Sequence, residues 1–270
     1  MLLIGQFYLT EKPCASKAAS YMSLLRQTLL TARIPLRNTL VNPRSIASPT
    51  TFALLRTMKT LTQAVTEDHD EMYQYWTAYK KAYAAEDTQT ASKFASQLRW
   101  EVARHAAGEE IVVYPLMEKY LGAKGVELAD HDRAEHQVVK EQLLTLEGLT
   151  AGTTEFDQLM NSIMEHLKTH NDSEEREDLP RLEKAMDNDE SVKIAQSFAH
   201  TKMLAPTHAH PNAPNKPPYE TLAGFLALPI DKIKDFMTTF PTQAEKESAA
   251  TGFEREGGRD QLNRLNPNIS

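Results

Sequence analysis

Two copies of one short pattern contain the residues that could carry out chemistry in this chain. His105 is followed four residues later by Glu109, and His170 is followed in the same way by Glu174. At 3.6 residues per turn, this spacing places an imidazole and a carboxylate on one face of a helix, one turn apart. Such a pair can bind a metal ion, but it is also common on solvated helices. The repetition of the pair therefore carries more information than either copy alone.

The two pairs belong to a longer repeat. Residues 105–119 and 170–184 align without a gap and share six positions, namely the His, two adjacent Glu, a Pro, a further Glu and a Lys. Unrelated segments of this length would share about one position at average residue usage. Pro115 and Pro180 occupy the same offset and predict a kink in both helices. The repeat predicts that these two helices are related by an approximate two-fold axis.

Four segments show the periodicity of helices, and short connections join them. The segments cover about residues 61–85, 90–120, 126–146 and 153–186. No segment shows the two-residue alternation that is typical of a strand. The predicted fold class is all-α, with an up-down-up-down four-helix bundle over residues 61–187.

The two helices outside the repeat each offer a histidine. His69 lies among apolar residues in the first helix, and the third helix contains His131 and His136. Five residues rotate a helical side chain by about 500°, so the two histidines of the third helix cannot face the same centre. His136 shares its face with Val139 and Leu143, whereas polar residues follow His131 on its own face. His136 is therefore the predicted ligand, and His131 is kept as the alternative.

Six side chains form the predicted metal-binding set. They offer two histidines per ion and two carboxylates to share, so we expect a dinuclear centre in the core of the bundle. Imidazole and carboxylate together suit iron or manganese, and the absence of thiolates argues against a structural zinc site. Two divalent ions would also hold both buried carboxylates ionised. The predicted ligands are His69, His105, Glu109, His136, His170 and Glu174.

Residues next to this set are candidates for supporting roles. Glu101 and His166 lie one turn before the repeated histidines, and each is a candidate for an outer partner or an added ligand. Glu110 and Glu175 directly follow the predicted ligand glutamates and are rotated by about 100° from them. We expect these two to be solvated or to act as outer partners. A buried histidine such as His69 is, taken singly, more often an ordinary core residue, so only the joint placement favours a metal site.

The chain before the bundle has a different composition. Residues 1–60 are basic, contain no acidic residue after Glu11 and are rich in Ser, Thr and Leu. This composition is typical of a mitochondrial targeting leader, and translation from Met22 would give a leader closer to the usual pattern. A disordered basic arm on a cytoplasmic protein is the alternative.

The chain after the bundle divides into two parts. Residues 188–240 contain a proline-rich stretch, residues 205–218, that predicts an extended strap. One or two short helices that dock on the bundle should follow this strap. Residues 241–270 are polar and predict a frayed, disordered tail.

Composition argues against several classes of function. The chain has a net charge of −7, and because its first 66 residues carry +7, the rest carries −14. An acidic body gives no reason to expect nucleic-acid binding. No uninterrupted apolar run is long enough for a membrane span. The single cysteine, Cys14, lies in the basic leader, so the bundle has neither a disulfide framework nor a catalytic cysteine.

The arrangement of these motifs resembles the hemerythrin-like, or HHE cation-binding, family. The resemblance rests on a histidine in the first helix, His-x3-Glu in the second, Glu-His-Gln-Val-Val-Lys at residues 135–140, and His-x3-Glu-Glu followed by Leu-Pro in the fourth. It covers about residues 61–187, and residues 206–221 resemble the extension of fungal members. The family implies a left-handed four-helix bundle with two non-haem iron ions, bridged by two carboxylates and an oxo or hydroxo group.

The resemblance also implies a class of function. Members of the family bind dioxygen, react with nitric oxide or sense iron. The invertebrate oxygen carriers use five histidines, with His-x3-His in the third helix and His-x4-Asp in the fourth. This chain has His-x4-His and His-x3-Glu in those helices. The departure favours the HHE branch of the family over reversible oxygen carriage.

The sequence therefore predicts a mitochondrial di-iron protein that binds a small diatomic ligand, or iron itself, in redox or iron homeostasis. A di-iron oxidase or peroxide-scavenging enzyme is a weaker alternative. That class uses Glu-x-x-His, and no histidine of the predicted bundle follows a Glu at that spacing. A metal-free bundle that serves only in protein interaction is a third hypothesis, and it would leave six inward polar groups without partners. The oligomeric state is left open.

Overall fold

The computed structural model describes residues 58–265, so the predicted targeting leader lies outside the described residues except for its last three positions. This part of the chain is helical, and no strand occurs within it. The predicted all-α fold class is thereby confirmed. The helices are α1 (Leu61–Ala84), α2 (Thr88–Gly108), α3 (Tyr114–Leu121), α4 (Ala123–Glu147), α5 (Thr154–Ser173), α6 (Leu179–Lys184), α7 (Asn188–Leu204), α8 (Tyr219–Met237), α9 (Gln243–Arg255) and α10 (Leu262–Leu265).

Four helical arms form the bundle. The first arm is α1, the second is α2 continued by α3, the third is α4, and the fourth is α5 continued by α6. Helix α1 packs against α2, α3 against α4, and α4 against α5, while α6 returns to α1. Because short turns join consecutive arms, neighbouring arms run antiparallel. The two arms that contain the repeat therefore lie at opposite corners of the bundle.

In both repeated arms, one wide turn follows the helix that contains the histidine. Residues 109–113 and 174–178 form π-helical turns, in which a backbone N–H donates to a carbonyl five residues earlier. Pro115 and Pro180 lie just after these turns. A proline ring clashes with the carbonyl four residues earlier in a regular α-helix, and a wider turn relieves that clash. Such turns are rare in proteins, and those that occur are often found at functional sites.

Two glycines allow the second and third arms to meet closely. Gly122 has a φ of 59°, a left-handed conformation that residues with a Cβ rarely adopt. A Cβ on Gly125 would lie 1.9 Å from the carbonyl oxygen of Met117. Only glycine therefore lets the first turn of α4 lie directly against α3.

The polar residues of the repeat lie in a layer between two apolar clusters. In α1, His69 lies between Val65, which belongs to one cluster, and Met72, which belongs to the other. Helix α4 shows the same order, with His136 between Ala129 and the other cluster. The bundle therefore buries this layer within its length, with apolar packing on both sides.

Helix α7 occupies part of the segment in which the sequence predicts a strap and short helices. Asp187 caps its first turn by accepting a hydrogen bond from the backbone N–H of Glu190. The helix packs against α1 and α2, and it buries Phe198 in the apolar cluster that contains Val65. A long helix thus covers one side of the bundle before the proline-rich stretch begins.

The proline-rich strap is tied down by side chains of α8 and α4. The backbone N–H groups of Thr207 and His208 donate to the buried carboxylate of Asp231 in α8, and the His210 ring contacts the same carboxylate at 3.0 Å. The His208 ring lies 2.7 Å from Glu147 of α4. Both histidines of the strap are therefore paired with carboxylates that hold it in place.

The prediction of a disordered tail is wrong for residues 243–265. Helix α9 begins with a capping box formed by Thr242 and Glu245 and packs against α1. Phe253 and Leu262 are buried in the apolar cluster that contains Met72. A polar segment becomes ordered here because a few apolar side chains find a surface that the bundle has already formed.

Within residues 58–265, no helix combines the length and the apolar character that crossing a bilayer requires.

Candidate metal centre

The four predicted histidines meet in the polar layer and face each other through their Nε2 atoms. The Nε2 atoms of His69 and His105 lie 3.0 Å apart, and those of His136 and His170 lie 3.2 Å apart. Two nitrogens bound to one ion at about 2.1 Å each would be separated by about 3.0 to 3.4 Å. Each pair therefore has the spacing expected for two ligands of a single ion.

The two predicted glutamates lie between the histidine pairs. Glu109 Oε1 is 3.1 Å from Nε2 of His105, and Glu109 Oε2 is 3.4 Å from Nε2 of His136. Glu174 Oε2 is 3.7 Å from Nε2 of His69. The six side chains are all buried, and this set of residues will be called the inner ring. The structure thus brings together the six residues that the sequence singles out.

Both glutamates of the inner ring are short of hydrogen-bond donors. Within residues 58–265, none of the four carboxylate oxygens of Glu109 and Glu174 accepts a well-formed hydrogen bond, although imidazole nitrogens lie 3.1 to 3.7 Å from three of them. A buried carboxylate without hydrogen bonds is costly, and a bound cation removes that cost. The residues of the inner ring therefore fit a pair of metal ions.

The pKa values of the two glutamates are pushed apart. Burial and the charge of Glu109 raise the pKa of Glu174 well above its usual value. Burial also acts to raise the pKa of Glu109, but the imidazoles of His105 and His136 outweigh burial and hold it below its usual range. Two buried carboxylates this close cannot both be ionised without added positive charge. The pair of glutamates must therefore bind either a proton or a cation.

The histidines respond to the same surroundings. Burial acts to lower the pKa of His105, but Glu109 and Asp68 outweigh burial and raise it to about 9. Burial also acts to lower the pKa of His170, but the contact with Glu135 and the charge of Glu109 outweigh burial and raise it. Burial lowers the pKa of His69 and of His136. The positive charge near the carboxylates is therefore carried mainly by His105 and His170, one imidazole of each pair.

A carboxylate lies at hydrogen-bonding distance from the Nδ1 atom of each histidine. This contact holds the imidazole in one orientation and leaves Nε2 as the ligand atom, which is the usual arrangement behind a metal-bound histidine. We call these four carboxylates the outer ring. The pairs are His69 with Glu175 (2.6 Å), His105 with Asp68 (3.2 Å), His136 with Glu110 (3.2 Å) and His170 with Glu135 (2.7 Å).

Two members of the outer ring are not singled out by the sequence analysis. Glu110 and Glu175 take the outer role that the sequence leaves open for them. Asp68 and Glu135 are missed, although each directly precedes a predicted ligand histidine. The signal is hidden because each of these acids contacts the histidine of a neighbouring helix and not the one beside it in the chain.

Three carboxylates of the outer ring are paired with a lysine or arginine. One cation comes from α4, one from α7 and one from the short 3₁₀ helix after α9, so segments outside the bundle also support the centre. At the fourth carboxylate, Glu135, the nearby ring of His131 lies 3.6 Å away. The cationic pairs are Lys140 with Glu110, Lys202 with Asp68, and Arg259 with Glu175.

The other candidates from the sequence lie outside the inner ring. The side chain of His131 is 66% exposed and does not share the centre with His136. Glu101 pairs with Arg104, and burial raises the pKa of Glu101 to about 7. Within residues 58–265, no hydrogen bond or ion pair joins His166 to the inner ring, and its Nε2 atom has no hydrogen-bond partner.

Tyr114 is a residue of the centre that sequence reasoning missed. Its hydroxyl is buried and lies 3.1 Å from Nε2 of His136, which is the ligand nitrogen. Burial raises the pKa of Tyr114 well above its usual value. The signal in the sequence is weak, because the second copy of the repeat has Leu179 at the same position. The hydroxyl therefore distinguishes the two halves of the centre.

Comparisons with known proteins agree with this geometry. The hemerythrin HHE cation binding domain matches residues 60–182, which include the whole inner ring. An uncharacterized hemerythrin-like protein of Schizosaccharomyces pombe is 46% identical over 184 residues, which make up 68% of this chain and 89% of that protein. No solved structure matches the chain. The chain therefore belongs to the hemerythrin-like, HHE cation-binding family.

Proposed function

We propose that the protein binds two non-haem iron ions in the inner ring and uses them to bind a small diatomic ligand, dioxygen or nitric oxide. One observation carries this proposal. Two buried glutamates without hydrogen bonds lie between two pairs of histidine nitrogens that have the spacing of ligands. Imidazole and carboxylate donors without thiolate suit iron.

Each residue of the inner ring has a distinct part in this proposal. His69 and His105 would hold one ion, and His136 and His170 would hold the other. Glu109, which contacts both pairs, would bridge the two ions, and Glu174 would join it from the fourth arm. A pair of iron ions held in this way would supply reversible redox chemistry and coordination positions for a diatomic molecule.

The protein around the ions would control protons and water. The outer ring keeps a proton on Nδ1 of each histidine, so that every Nε2 stays available as a ligand. The two apolar clusters on either side of the layer limit the access of water. The hydroxyl of Tyr114 holds a proton 3.1 Å from Nε2 of His136, where it can donate a hydrogen bond to a polar ligand. One half of the centre is thereby better suited to hold that ligand.

Metal analysis and rapid mixing test this function. Protein purified anaerobically in the presence of iron should contain about two iron ions per chain. The reduced protein should then show a change in its visible spectrum on mixing with dioxygen or nitric oxide in a stopped-flow instrument. A protein without metal would favour the alternative of a metal-free bundle that serves only in protein interaction. Steady consumption of peroxide would favour the alternative of a di-iron oxidase or peroxide-scavenging enzyme.

We also propose that the protein acts in redox or iron homeostasis within the mitochondrion. The composition of residues 1–60 supports this location. N-terminal sequencing of the native protein from purified mitochondria tests it. An intact basic segment on a protein recovered from the cytosol would contradict the proposal.

A further inference from the structure

Contacts through a single carboxylate connect His170 to an exposed residue at the protein surface. His170 Nδ1 donates to Glu135 Oε2 at 2.7 Å, and Oε1 of the same carboxylate lies 3.6 Å from Nε2 of His131. The other three histidines of the inner ring lead instead to a carboxylate that is paired with a lysine or arginine. This route alone among the four ends in an exposed imidazole, which can bind a metal ion.

Asp132 completes a set of three donors at this place. One possible ligand atom from each of His131, Asp132 and Glu135 lies within 4.8 Å of the others. Donors bound to one ion at about 2.1 Å can be at most about 4.2 Å apart. A small movement of the exposed His131 ring would therefore bring the three atoms to bonding distance. His131 and Glu135 also have the His-x3-Glu spacing that the two copies of the repeat use.

A second observation indicates a positively charged ligand. Asp132 is 2% exposed, yet one of its carboxylate oxygens has no hydrogen-bond partner within residues 58–265. Buried carboxylate oxygens are rarely left in this state, because the lost hydration is not replaced. A cation bound by Asp132 would replace it.

Asp132 links this set of donors to the inner ring. Its Oδ1 atom lies 4.0 Å from Nδ1 of His170. One buried acid is thus close both to the exposed His131 and to a histidine of the centre itself.

We propose that His131, Asp132 and Glu135 form a third cation site, through which ferrous iron enters the inner ring. One imidazole and two carboxylates, with water in the remaining positions, suit a divalent first-row ion. Few protein ligands and an exposed histidine allow the ion to be released again, as an entry site requires. The entry role rests on the proposed function, since it needs a centre that takes up iron, whereas the cation site does not.

The cation site can be tested in protein whose centre no longer binds metal. In the double variant Glu109→Ala/Glu174→Ala, an electron paramagnetic resonance titration with Mn²⁺ should show one bound ion per chain. Adding His131→Ala should weaken that binding about ten-fold or more. The matched control is His200→Ala, which removes an exposed histidine of α7 and should leave binding unchanged. Absence of Mn²⁺ binding, or equal binding after His131→Ala, would overturn the site.

Should the double variant fail to fold by circular dichroism, the iron-loaded wild-type protein replaces it. A further equivalent of Mn²⁺ should then bind to the wild type and to His200→Ala, and should be lost in His131→Ala. The same comparison decides the question in either protein.

The entry role is tested by the rate of iron uptake. Metal-free protein is mixed anaerobically with limiting Fe²⁺, and bound iron is measured over time. His131→Ala and Asp132→Asn should take up iron about ten-fold more slowly and still reach the wild-type iron content. Equal rates in all variants would overturn the entry role. A wild-type protein that never binds iron would refute the proposed function, and the Mn²⁺ titration would still decide the cation site.

Discussion

The two copies of the repeat place equivalent residues around the centre but differ on their outer sides. The π turn of the first copy, residues 109–113, continues with Ile and Val and is covered by α7. The π turn of the second copy, residues 174–178, contains Arg176 and Glu177, which are exposed. The difference shows that the approximate symmetry includes the inner ring, together with Glu110 and Glu175 behind it, but not the residues that cover them. On the side of the first copy, these residues are covered by α7, a helix that is not part of the repeat.

Gly108 shows how the first copy receives its cover. A Cβ at this position would lie 2.8 Å from the ring of Phe198 in α7, so the absence of a side chain lets α7 pack directly against the turn. The equivalent residue of the second copy is Ser173, which is only partly buried. The second copy is therefore the more open side of the centre, and the proposed entry site lies beside it.

The largest effect is expected from the residues that the two copies share. Glu109→Ala and Glu174→Ala should each lose both iron ions, because each glutamate is proposed to bridge the pair. Iron content per chain, measured after anaerobic loading, checks this expectation. Full iron content in either variant would contradict the bridging role of that glutamate. It would also contradict the proposal that the two copies have equivalent roles.

A smaller effect is expected from the outer ring of the covered side. Asp68→Asn should lower the iron affinity about 10- to 100-fold, because the amide no longer supports His105 as the carboxylate does. Competition with a coloured chelator measures the affinity. Glu67→Gln is the matched control, since this neighbouring acid of α1 is exposed and should not affect binding. An unchanged affinity for Asp68→Asn would contradict the role of the outer ring.

The two copies also differ one turn before their histidines, where Glu101 corresponds to His166. Burial raises the pKa of Glu101 to about 7. A carboxyl group whose pKa is higher in the folded chain binds its proton more tightly there, so its contribution to stability is complete below about pH 4.5 and is lost as pH rises through 7. Glu101→Gln should therefore stabilise the protein at pH 8 relative to wild type by about 2 kcal/mol more than at pH 5.

Urea denaturation of the metal-free protein at the two pH values measures this difference. Glu155→Gln, which changes an exposed acid of α5, should show no such dependence. A wild-type stability that varies with pH in the same way as that of Glu101→Gln would show that Glu101 is not the group responsible.

The smallest effect is expected from the packing of α7 against the first copy of the repeat. Gly108→Ala should destabilise the protein by about 1 kcal/mol, because the new methyl group must displace Phe198, while the gain in helix propensity offsets part of the cost. Ser173→Ala should stay within about 0.5 kcal/mol of wild type, since this position is a partly buried one without a known cap or network. Chemical denaturation of both variants makes the comparison. Equal stabilities would mean that α7 does not depend on the glycine.

The parts that sequence reasoning predicts well are those with a local period. The four arms follow from apolar spacing, and the inner ring follows from the repeat together with His69 and His136. The π turns are not predicted, because a proline signals a break but not the form that the chain takes to accommodate it. The order of residues 243–265 is missed for a different reason, since Phe253 and Leu262 become buried only on a surface that other helices provide.

The sequence by itself determined the fold class, the family and the six residues that face one another, because a helix with a known period turns spacing into direction. Only the tertiary structure decided which acids stand behind the histidines. Asp68 contacts His105, and Glu135 contacts His170, although each lies beside another histidine in the chain. Such pairs depend on how neighbouring helices are rotated against each other, and packing across the whole bundle sets that rotation.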